Sequence, residues 1–327
     1  MRVNLRDFAA VGLWLAAMVV AGPAPAQDTN AQTMRLVAPF AAGGSADQIA
    51  RLVGRSISQR LGVTVVVDNK PGAGGGIAAA EVARSAPDGK TFLIGSNGPL
   101  VINRAVYPKL PYDPDHDLLP VVALAETPLL LVARKNLPVA SLSGLKSYAS
   151  ANTAQSLTMG SAGIGNITHL AGEYLSGLIG FKPLHVPFRG SAPAMLAVIA
   201  GQIDIMYDAL PTSVQQVKDG AVKALAVTSA RRLPELPDTP TMRELGYDVG
   251  KVTAWFGMVA PVRTPAALVA QFNAAANAAL AEPDVKEKLA AIGFQAIGGT
   301  PAEFTDFIRA EIDRWVPLAR SLDVKAD

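Results

Sequence analysis

The sequence predicts an α/β fold of two lobes, each a mainly parallel sheet flanked by helices, with a ligand cleft between them. Short apolar or β-branched runs alternate with segments of helical periodicity over residues 35–95, and the same alternation starts again over 157–227. A strand-like run at 252–260 and a long helical region at 265–321 follow the second series. The two series predict the two lobes, and the helical region predicts a return of the chain to the first lobe.

The first series begins with a strand and a helix separated by a glycine pair. Gly43 and Gly44 precede Ser45, which is expected to be the helix N-cap because apolar residues recur at helical spacing as far as Ile57. The strands of this part are predicted at 35–39, 63–67, 91–95, 121–125 and 129–133, and the helices at 45–57 and 77–84.

The second series and the C-terminal region follow the same logic. Strands are predicted at 157–160, 184–186, 203–207, 222–227 and 252–260, and helices at 168–178, 192–200 and 212–218. The C-terminal helices are predicted at 265–280, 285–292 and 301–321. Pro265 and Pro301 occupy the helix start that proline favours.

These elements divide the chain into predicted domains. Lobe 1 is expected to contain residues 27–134 and 256–327, and lobe 2 residues 135–255. The chain is expected to cross between the lobes near 133–137 and 249–255. Two α/β lobes joined by more than one crossing are typical of binding proteins that close about a hinge.

Residues 1–26 have the features of a cleaved signal peptide. Arg2 and Arg6 precede an apolar run at 9–21, and the small residues at 24–26 suit signal peptidase. The alternative, an N-terminal membrane anchor, is disfavoured because the run is shorter than the roughly 20 residues that span a bilayer. The protein is therefore expected outside the cytoplasm. Its lack of cysteine excludes disulfides and thiolate chemistry.

Several other classes of function are disfavoured. The 29 Lys+Arg and 27 Asp+Glu residues form no basic stripe, which argues against nucleic-acid binding. The glycine run at 72–76 lacks the last glycine of a dinucleotide fingerprint, and the three histidines lack metal-ligand spacing. Ser45, Ser96 and Ser161 complete no G-x-S-x-G motif, and the S-x-x-K match at 143–146 lacks its partner motifs. We therefore expect no cofactor, no metal and no enzyme activity.

Three glycine-bearing turns, each between a predicted strand and a predicted helix, form the candidate binding site. They are residues 40–45, 161–166 and 188–191. Each follows a strand, and open α/β sheets bind ligands at the carboxyl ends of their strands. The unpaired N–H groups of a helix's first turn suit an anion that accepts several hydrogen bonds. Any one turn could be a plain helix cap, but three turns shared between two lobes predict a common anion cleft.

Three polar residues near these turns have two interpretations each. His169 could brace its loop or touch the ligand, and bracing is favoured because a buried histidine commonly serves as a hydrogen-bonding strut. Arg189 could bind a carboxylate with its guanidinium or point to solvent, and the sequence does not separate the two. Asp208 would repel an anion at close range, so bracing is favoured over contact with a ligand hydroxyl or amine.

The same segments resemble the substrate-binding proteins of tripartite tricarboxylate transporters, a family of periplasmic receptors. The resemblance extends in order over about residues 35–315 and is carried by the motifs PFAAGGSAD at 39–47, NKPGAGG at 69–75, GIGN at 163–166 with His169, and WFG at 255–257. Asn166 stands where serine or threonine is more usual, and Phe188-Arg189 where tyrosine-lysine is more usual. The ligand's identity is therefore not carried over.

The resemblance implies a two-lobed, type II-like periplasmic binding protein that closes on a small organic carboxylate and delivers it to membrane permease subunits. The expected ligand is a dicarboxylate or tricarboxylate, an acidic amino acid or an aromatic acid. The alternative is a ligand-sensing receptor for a membrane signalling protein, and a monomer is expected in either case. The predicted ligand-binding residues are Phe40, Ala41, Ala42, Gly43, Gly44, Ser45, Asp47, Asn97, Ser161, Gly163, Gly165, Asn166, His169, Phe188, Arg189, Gly190 and Asp208.

Overall fold

A computed structural model describes residues 33–152 and 156–326, so the predicted signal peptide lies outside the described residues. The strands are β1 (Thr33–Ala38), β2 (Thr64–Asn69), β3 (Thr91–Ser96), β4 (Leu118–Arg134), β5 (Thr158–Ser161), β6 (Leu184–Pro187), β7 (Ile205–Ala209), β8 (Val222–Val227), β9 (Thr253–Pro261) and β10 (Gln295–Gly298). The helices are α1 (Ser45–Leu61), α2 (Gly76–Ala83), α3 (Asn103–Val106), α4 (Leu142–Ala151), α5 (Ile167–Ile179), α6 (Ser191–Ile199), α7 (Leu210–Lys218), α8 (Ala266–Ala281), α9 (Pro283–Ala291) and α10 (Pro301–Ser321).

One long strand, β4, joins two sheets. The strand order is β2-β1-β3-β9-β4-β7-β5-β6, with β10 and β8 also paired to β4. β4 pairs with β9 as far as the Pro128–Thr253 pair and with β7 from the Leu129–Ala209 pair onward. The partner change lies within the strand, between Pro128 and Leu129, and is therefore the point at which the chain passes from the first sheet to the second.

The predicted mainly parallel sheets are mixed in the structure. β1 is parallel to β2 and β3, and β5 is parallel to β6 and β7, as the alternation of strands and helices predicts. In contrast, β9 runs antiparallel to β3 and β4, and β4 runs antiparallel to β7 and β8. β4 continues directly from the first sheet to the second, whereas β9 pairs only with strands of the first sheet.

Most predicted elements are present, and the differences are local. The two predicted strands at 121–125 and 129–133 are parts of the single strand β4, which passes through Pro128 without ending. Three elements were not predicted from the sequence: β10, α3 and the π-helical turn at Gly98–Ile102. These elements are short, so they offer little periodicity to detect.

The interior is apolar and is formed by the sheets and the helices that cover them. Ile49, Val53 and Ile57 of α1 are at most 1 % exposed, so the periodicity seen in the sequence marks the buried face of that helix. Trp255 and Trp315 are among the largest fully buried side chains. Within the described residues, no helix is both long and apolar enough to cross a membrane.

Candidate functional site

The first loop, residues 39–44, connects β1 to α1 and leaves the helix start without a side-chain cap. Gly44 is the N-cap, with φ −77° and ψ 172°, and no side chain hydrogen-bonds to the first turn. The prediction that Ser45 is the N-cap is wrong, because the change from extended to helical backbone falls one residue earlier. Ser45 is instead the first helical residue, and its buried hydroxyl has no hydrogen-bond partner. The start of α1 therefore has free N–H groups and one free hydroxyl.

Asp47 holds the first loop in shape from inside the helix. Its carboxylate accepts hydrogen bonds from the Gly43 N–H at 3.0 Å and from the Arg51 Nε at 3.0 Å. Burial opposes ionisation of this carboxyl, but the hydrogen bonds from Arg51 and Gly43 outweigh it and hold the pKa of Asp47 below its usual value. Asn69 adds a hydrogen bond from its amide to the Phe40 carbonyl at 3.0 Å. The loop is thus braced by a buried carboxylate whose charge is paired with Arg51.

The second loop, residues 161–166, connects β5 to α5 and is capped internally. Asn166 is the N-cap, and its side-chain oxygen accepts hydrogen bonds from the N–H of Thr168 at 2.9 Å and from the Thr168 hydroxyl at 3.0 Å. Ser161 is fully buried, and its hydroxyl lies 2.6 Å from Nε2 of His185 and accepts the Gly163 N–H at 3.1 Å. This loop therefore uses most of its polar side chains to hold itself together.

Two stacked imidazoles lie behind the second loop. His169 and His185 are parallel within 8°, with ring centroids 3.6 Å apart. Burial lowers the pKa of His169 to about 3, with a smaller contribution from His185, and burial also lowers the pKa of His185 to about 4. Both rings are neutral near pH 7, which allows them to stack closely and to support Ser161.

The third loop, residues 187–190, connects β6 to α6. Gly190 is the N-cap of α6, with φ 145°, and no side chain caps this helix start either. A Cβ atom at Gly190 would lie 3.0 Å from the Ala41 nitrogen and 3.2 Å from the Phe40 Cβ, so only glycine allows the two loops to approach this closely. Ser191, the first residue of α6, is buried.

The three loops meet around a narrow cavity of about 20 Å³. The Ala41 N–H donates to the Arg189 carbonyl at 2.9 Å, the Gln48 amide to the Pro211 carbonyl at 3.1 Å, and the Tyr107 hydroxyl to the Ile164 carbonyl at 3.0 Å. The cavity is lined by Phe40, Gly44, Ser45, Ala46, Ser96, Asn97, Ala162, Asn166, Ile167, Thr168, Ser191, Ala209, Ala254 and Phe256. Two uncapped helix starts and the free hydroxyls of Ser45 and Ser96 border it, which suits an anionic guest.

Comparison with known proteins identifies the family to which this arrangement belongs. The model of the tripartite tricarboxylate transporter family receptor matches residues 49–324. The chain belongs to this family. It is 40% identical over 283 residues to the UPF0065 protein of the tcbD-tcbE intergenic region of Pseudomonas sp. strain P51, with 86% of this chain and 84% of that protein covered.

Two solved structures extend the comparison to three dimensions. The R. palustris protein Rpa4515, solved with adipate, is 36% identical and has a TM-score of 0.86, with 89% of this chain and 97% of that chain covered. MatC from Rhodopseudomonas palustris, solved with bound malate, is 38% identical and has a TM-score of 0.83, with 88% of this chain and 98% of that chain covered. The predicted family and the two-lobed binding-protein fold are confirmed. The lobe limits given above stay a prediction.

The structure brings only some of the predicted site residues of this receptor to the cavity wall. Phe40, Gly44, Ser45, Asn97 and Asn166 line it. The others lie around the cavity. Ala41 and Gly190 form the contact between the first and third loops, and Gly163 and Gly165 shape the second loop. Phe188 is half-buried, Asp208 is fully buried behind the wall, and three residues are exposed: Ala42, Gly43 and Arg189. Asp47, Ser161 and His169 support the loops from behind, as described above.

Asn97 faces the cavity but is held by the protein itself. Its side-chain oxygen accepts the Trp255 N–H at 3.0 Å, and its amide donates to the Thr253 carbonyl and to Glu311 Oε2, both at 3.2 Å. Glu311 also accepts the indole N–H groups of Trp255 and Trp315, at 2.7 and 3.1 Å. This buried network fixes the end of β3 and thereby places the neighbouring Ser96.

Three polar residues at the cavity wall were not predicted as ligand-binding residues. Ser96 ends β3, Thr168 lies in the first turn of α5, and Ser191 begins α6. The hydroxyl of Ser96 is buried without a partner, as is that of Ser45. Ser96 could have been predicted from its position, because a hydroxyl at the carboxyl end of a parallel strand lies at the binding edge of an α/β sheet.

A larger cavity, about 450 Å³ and open to solvent, lies elsewhere on the receptor, between β4 and β9. Its wall includes Glu126 and Lys251, which form an ion pair at 2.7 Å. None of the residues that line it begins a helix, so it lacks the free N–H groups that favour an anion. The smaller cavity between the loops is the better candidate site despite its size.

Ser161 and His185 also require a chemical test, because a serine–histidine pair is the core of many hydrolases. Ser161 is 0 % exposed and does not line the cavity. Among the described residues, no carboxylate hydrogen-bonds to His185, so no third member orients that ring for proton transfer. The pair is well placed to support the second loop and poorly placed to attack a substrate.

Proposed function

We propose that the protein captures a small organic carboxylate in the cavity between its loops and delivers it to a tripartite tricarboxylate-type permease in the membrane. The observation that carries the proposal is the meeting of two uncapped helix starts, α1 and α6, with the free hydroxyls of Ser45 and Ser96 at one enclosed space. These groups are donors with no acceptor of their own, and a carboxylate supplies up to about four lone-pair sites. Adipate and malate in the related structures support the same class of ligand.

The proposed ligand is small. The space left between the loops is about 20 Å³, well below the roughly 300–1000 Å³ usual for small-molecule sites, so the loops must part to admit a ligand. Its wall combines hydroxyl groups with the apolar surfaces of Phe40, Ala254 and Phe256, which suits a short chain that carries polar groups at its ends. A dicarboxylate or tricarboxylate, an acidic amino acid or a compact aromatic acid is the proposed ligand, and each requires the loops to lie further apart than they do here.

Closure of the lobes is the proposed response to the ligand. The hydrogen bonds from Ala41 to Arg189 and from Tyr107 to Ile164 join loops on different sheets, so they form only when the loops meet. A ligand that contacts both sides binds the closed form better and shifts the population toward it. We propose residues 27–134 with 256–327 and residues 135–255 as the bodies that move, and the periplasm as the compartment in which they act. A permease could then distinguish the loaded, closed receptor from the empty one.

Native mass spectrometry of the purified full-length protein is the direct test, because a tightly held acid survives purification. Thermal unfolding with citrate, succinate, malate, adipate, glutamate and benzoate is the second test. A ligand that binds only the folded state at 100 times its Kd stabilises it by about 2.7 kcal/mol. We expect at least one acid to raise Tm clearly and neutral analogues to have no effect. If none of the six acids binds and no acid is retained, the proposal is wrong.

A matched pair of glycine variants tests whether the acid is held between the loops. Gly190→Ala introduces a Cβ atom into the contact with Ala41, whereas Gly201→Ala introduces one at φ 77° with nothing within 4 Å. Both variants place a side chain at an unfavourable backbone angle, but only the first obstructs closure. We expect Gly190→Ala to weaken binding by about 100-fold or more, near 2.7 kcal/mol, and Gly201→Ala to bind normally. Equal binding by both variants would contradict a site between these loops.

A further inference from the structure

Asp208 is a carboxyl group that the binding scheme above leaves unused. It lies near the end of β7, is 0 % exposed, and sits directly behind the cavity wall, because its neighbour Ala209 and the adjacent Ser191 both line the cavity. Oδ2 accepts a hydrogen bond from the Thr212 hydroxyl, and Oδ1 has no partner among the described residues. A buried carboxyl with an unpartnered oxygen is costly, so its protonation state has consequences for the site.

Among residues 33–152 and 156–326, no cationic side chain forms an ion pair with Asp208. β4 places Leu130 opposite it in register, α6 contributes Ser191, and α7 contributes Thr212. α5 packs on the other face of β7, where Ser176 hydrogen-bonds to Tyr207. On α1 the titratable Asp47 is already paired with Arg51, and Gln48 is the residue that reaches α7.

The Ser191 hydroxyl is the link between Asp208 and the cavity. It approaches the carboxyl closely enough to favour the ionised form, yet Oδ1 completes no hydrogen bond. A serine hydroxyl has one proton to donate. If Asp208 is ionised, that proton is drawn toward the carboxylate behind the wall. If Asp208 is protonated, its own O–H can donate to the Ser191 oxygen, and the Ser191 proton can then point into the cavity.

We infer that capture of the carboxylate ligand is coupled to the uptake of one proton from solvent by Asp208, which turns the Ser191 hydroxyl toward the bound anion. The inference rests on the proposed function and adds a proton to it. The proton moves from water to Oδ1 of Asp208, and no other bond is made or broken. Uptake removes the negative charge behind the wall as the ligand's negative charge arrives in front of it, so the two carboxylates do not repel each other.

The titration range of Asp208 makes this coupling measurable near neutral pH. Burial raises the pKa of Asp208 to about 7, and the Thr212 hydroxyl, the nearby Ser191 hydroxyl and the Ala209 N–H oppose this rise only in part. Above pH 7 the empty protein has lost this proton and must regain it to bind. His169 and His185 do not interfere, because burial keeps both rings neutral above about pH 5. The ligand's own carboxyl groups are ionised at pH 8, whereas a second or third carboxyl, whose pKa is raised by its charged neighbour, titrates closer to pH 6, so the proton count at pH 8 reports on Asp208 most directly.

Isothermal titration calorimetry of the full-length protein tests the inference. The probe is the acid of the six-member panel with the largest thermal shift, titrated at pH 6, 7 and 8 in phosphate and in Tris. We expect about 0.9 proton taken up per ligand at pH 8 and about 0.1 at pH 6, with affinity about tenfold weaker at pH 8 than at pH 6. Asp208→Asn should bind with the same affinity from pH 6 to 8 and take up no proton. Asp219→Asn, an exposed change at the other end of α7, should keep the wild-type profile.

The possible results separate the two proposals. An acid that binds with no difference between the two buffers at pH 8 overturns the proton coupling and leaves the proposed function intact. Failure of every acid to bind at pH 6, where Asp208 is already protonated, overturns the proposed function and the coupling together. If Asp208→Asn does not fold, the proton count of the unmodified protein still decides, because it needs no variant.

Discussion

The first and second loops have the same outline, a glycine-bearing turn between a strand and a helix, but they use their polar groups in opposite ways. The first loop leaves the N–H groups of α1 and the Ser45 hydroxyl free, and it is braced by the ionised Asp47. The second loop caps α5 with Asn166 and ties Ser161 to a neutral His185. Hydrogen-bond donors without a partner in the protein indicate a ligand-binding position, and donors with a partner indicate a structural role.

Acidification should affect the second loop most, because its brace must stay uncharged. Unfolded histidines bind protons below about pH 6.5, whereas His185 and His169 in the folded protein bind them only near pH 4 and 3. Between these values the unfolded state holds more protons, so the free energy of unfolding falls as pH falls, by up to about 1.4 kcal/mol per pH unit for each ring. Asp208 acts in the opposite direction over its own range, from pH 7 down to about 4, and offsets part of this loss.

Urea unfolding at pH 7 and pH 5 measures this loss. His185→Gln removes one of the two titrating rings and should make stability less dependent on pH. His116→Gln is the control: Asp113 raises the pKa of this exposed ring, so its loss should make stability fall slightly more between pH 7 and pH 5, the opposite of the change in His185→Gln. Identical pH dependence in the unmodified protein and His185→Gln would contradict a neutral imidazole brace.

Alanine at the two loop serines should separate binding from stability. Ser45→Ala removes a free donor, and one hydrogen bond to a charged group contributes about 1.5–3 kcal/mol. We therefore expect ligand binding to weaken about tenfold to 100-fold, with the free energy of unfolding unchanged. Ser161→Ala removes the partner of His185 and of the Gly163 N–H, so we expect a loss of about 1–3 kcal/mol in unfolding free energy. Calorimetry and urea unfolding of both variants measure the two quantities. Ester hydrolysis abolished by either change would instead indicate an enzyme.

The cap of α5 offers a graded test of the same contrast. Asn166→Ala removes the oxygen that accepts from Thr168 and should cost about 1 kcal/mol of stability. Asn166→Ser keeps a capping oxygen and should retain most of that stability, since serine caps about as well as asparagine. Thermal unfolding of the two variants side by side is the measurement. Equal losses would show that the Asn166 amide, and not its cap oxygen, is what stabilises the helix start.

A smaller effect is expected where the two sheets' loops meet away from the cavity. Tyr107→Phe removes the hydrogen bond to the Ile164 carbonyl, which we propose to form when the lobes close. The loss of about 0.5–1.5 kcal/mol should weaken ligand binding about twofold to tenfold. Tyr148→Phe, on the surface of α4, is the control because its hydroxyl donates to no described residue. Unchanged affinity in Tyr107→Phe would indicate that this contact is also present in the open form.

Much of the fold and part of the site could be predicted from the sequence. The helix at 301–321 was placed at its observed limits, because a capping residue, a proline and a regular apolar face lie within one segment. The N-cap of α1 was misplaced because a cap depends on the backbone angle at Gly44, and residue type does not determine that angle when glycine is present. The pairing of Ser161 with His185 was missed because it joins residues 24 positions apart through the parallel pairing of β5 and β6.

The sequence by itself determined the order of strands and helices and the places where glycine interrupts them, because periodicity and backbone freedom are properties of neighbouring residues. Only the tertiary structure decided which of these turns face each other. Gly74 and Gly165 fit closely around Asn103, because an added Cβ at either position would lie within 2.8 Å of the Asn103 side-chain oxygen. This fit exists only after the sheets have formed. The same is true of the burial of Asp208, since both depend on chain segments that meet in space and are distant in sequence.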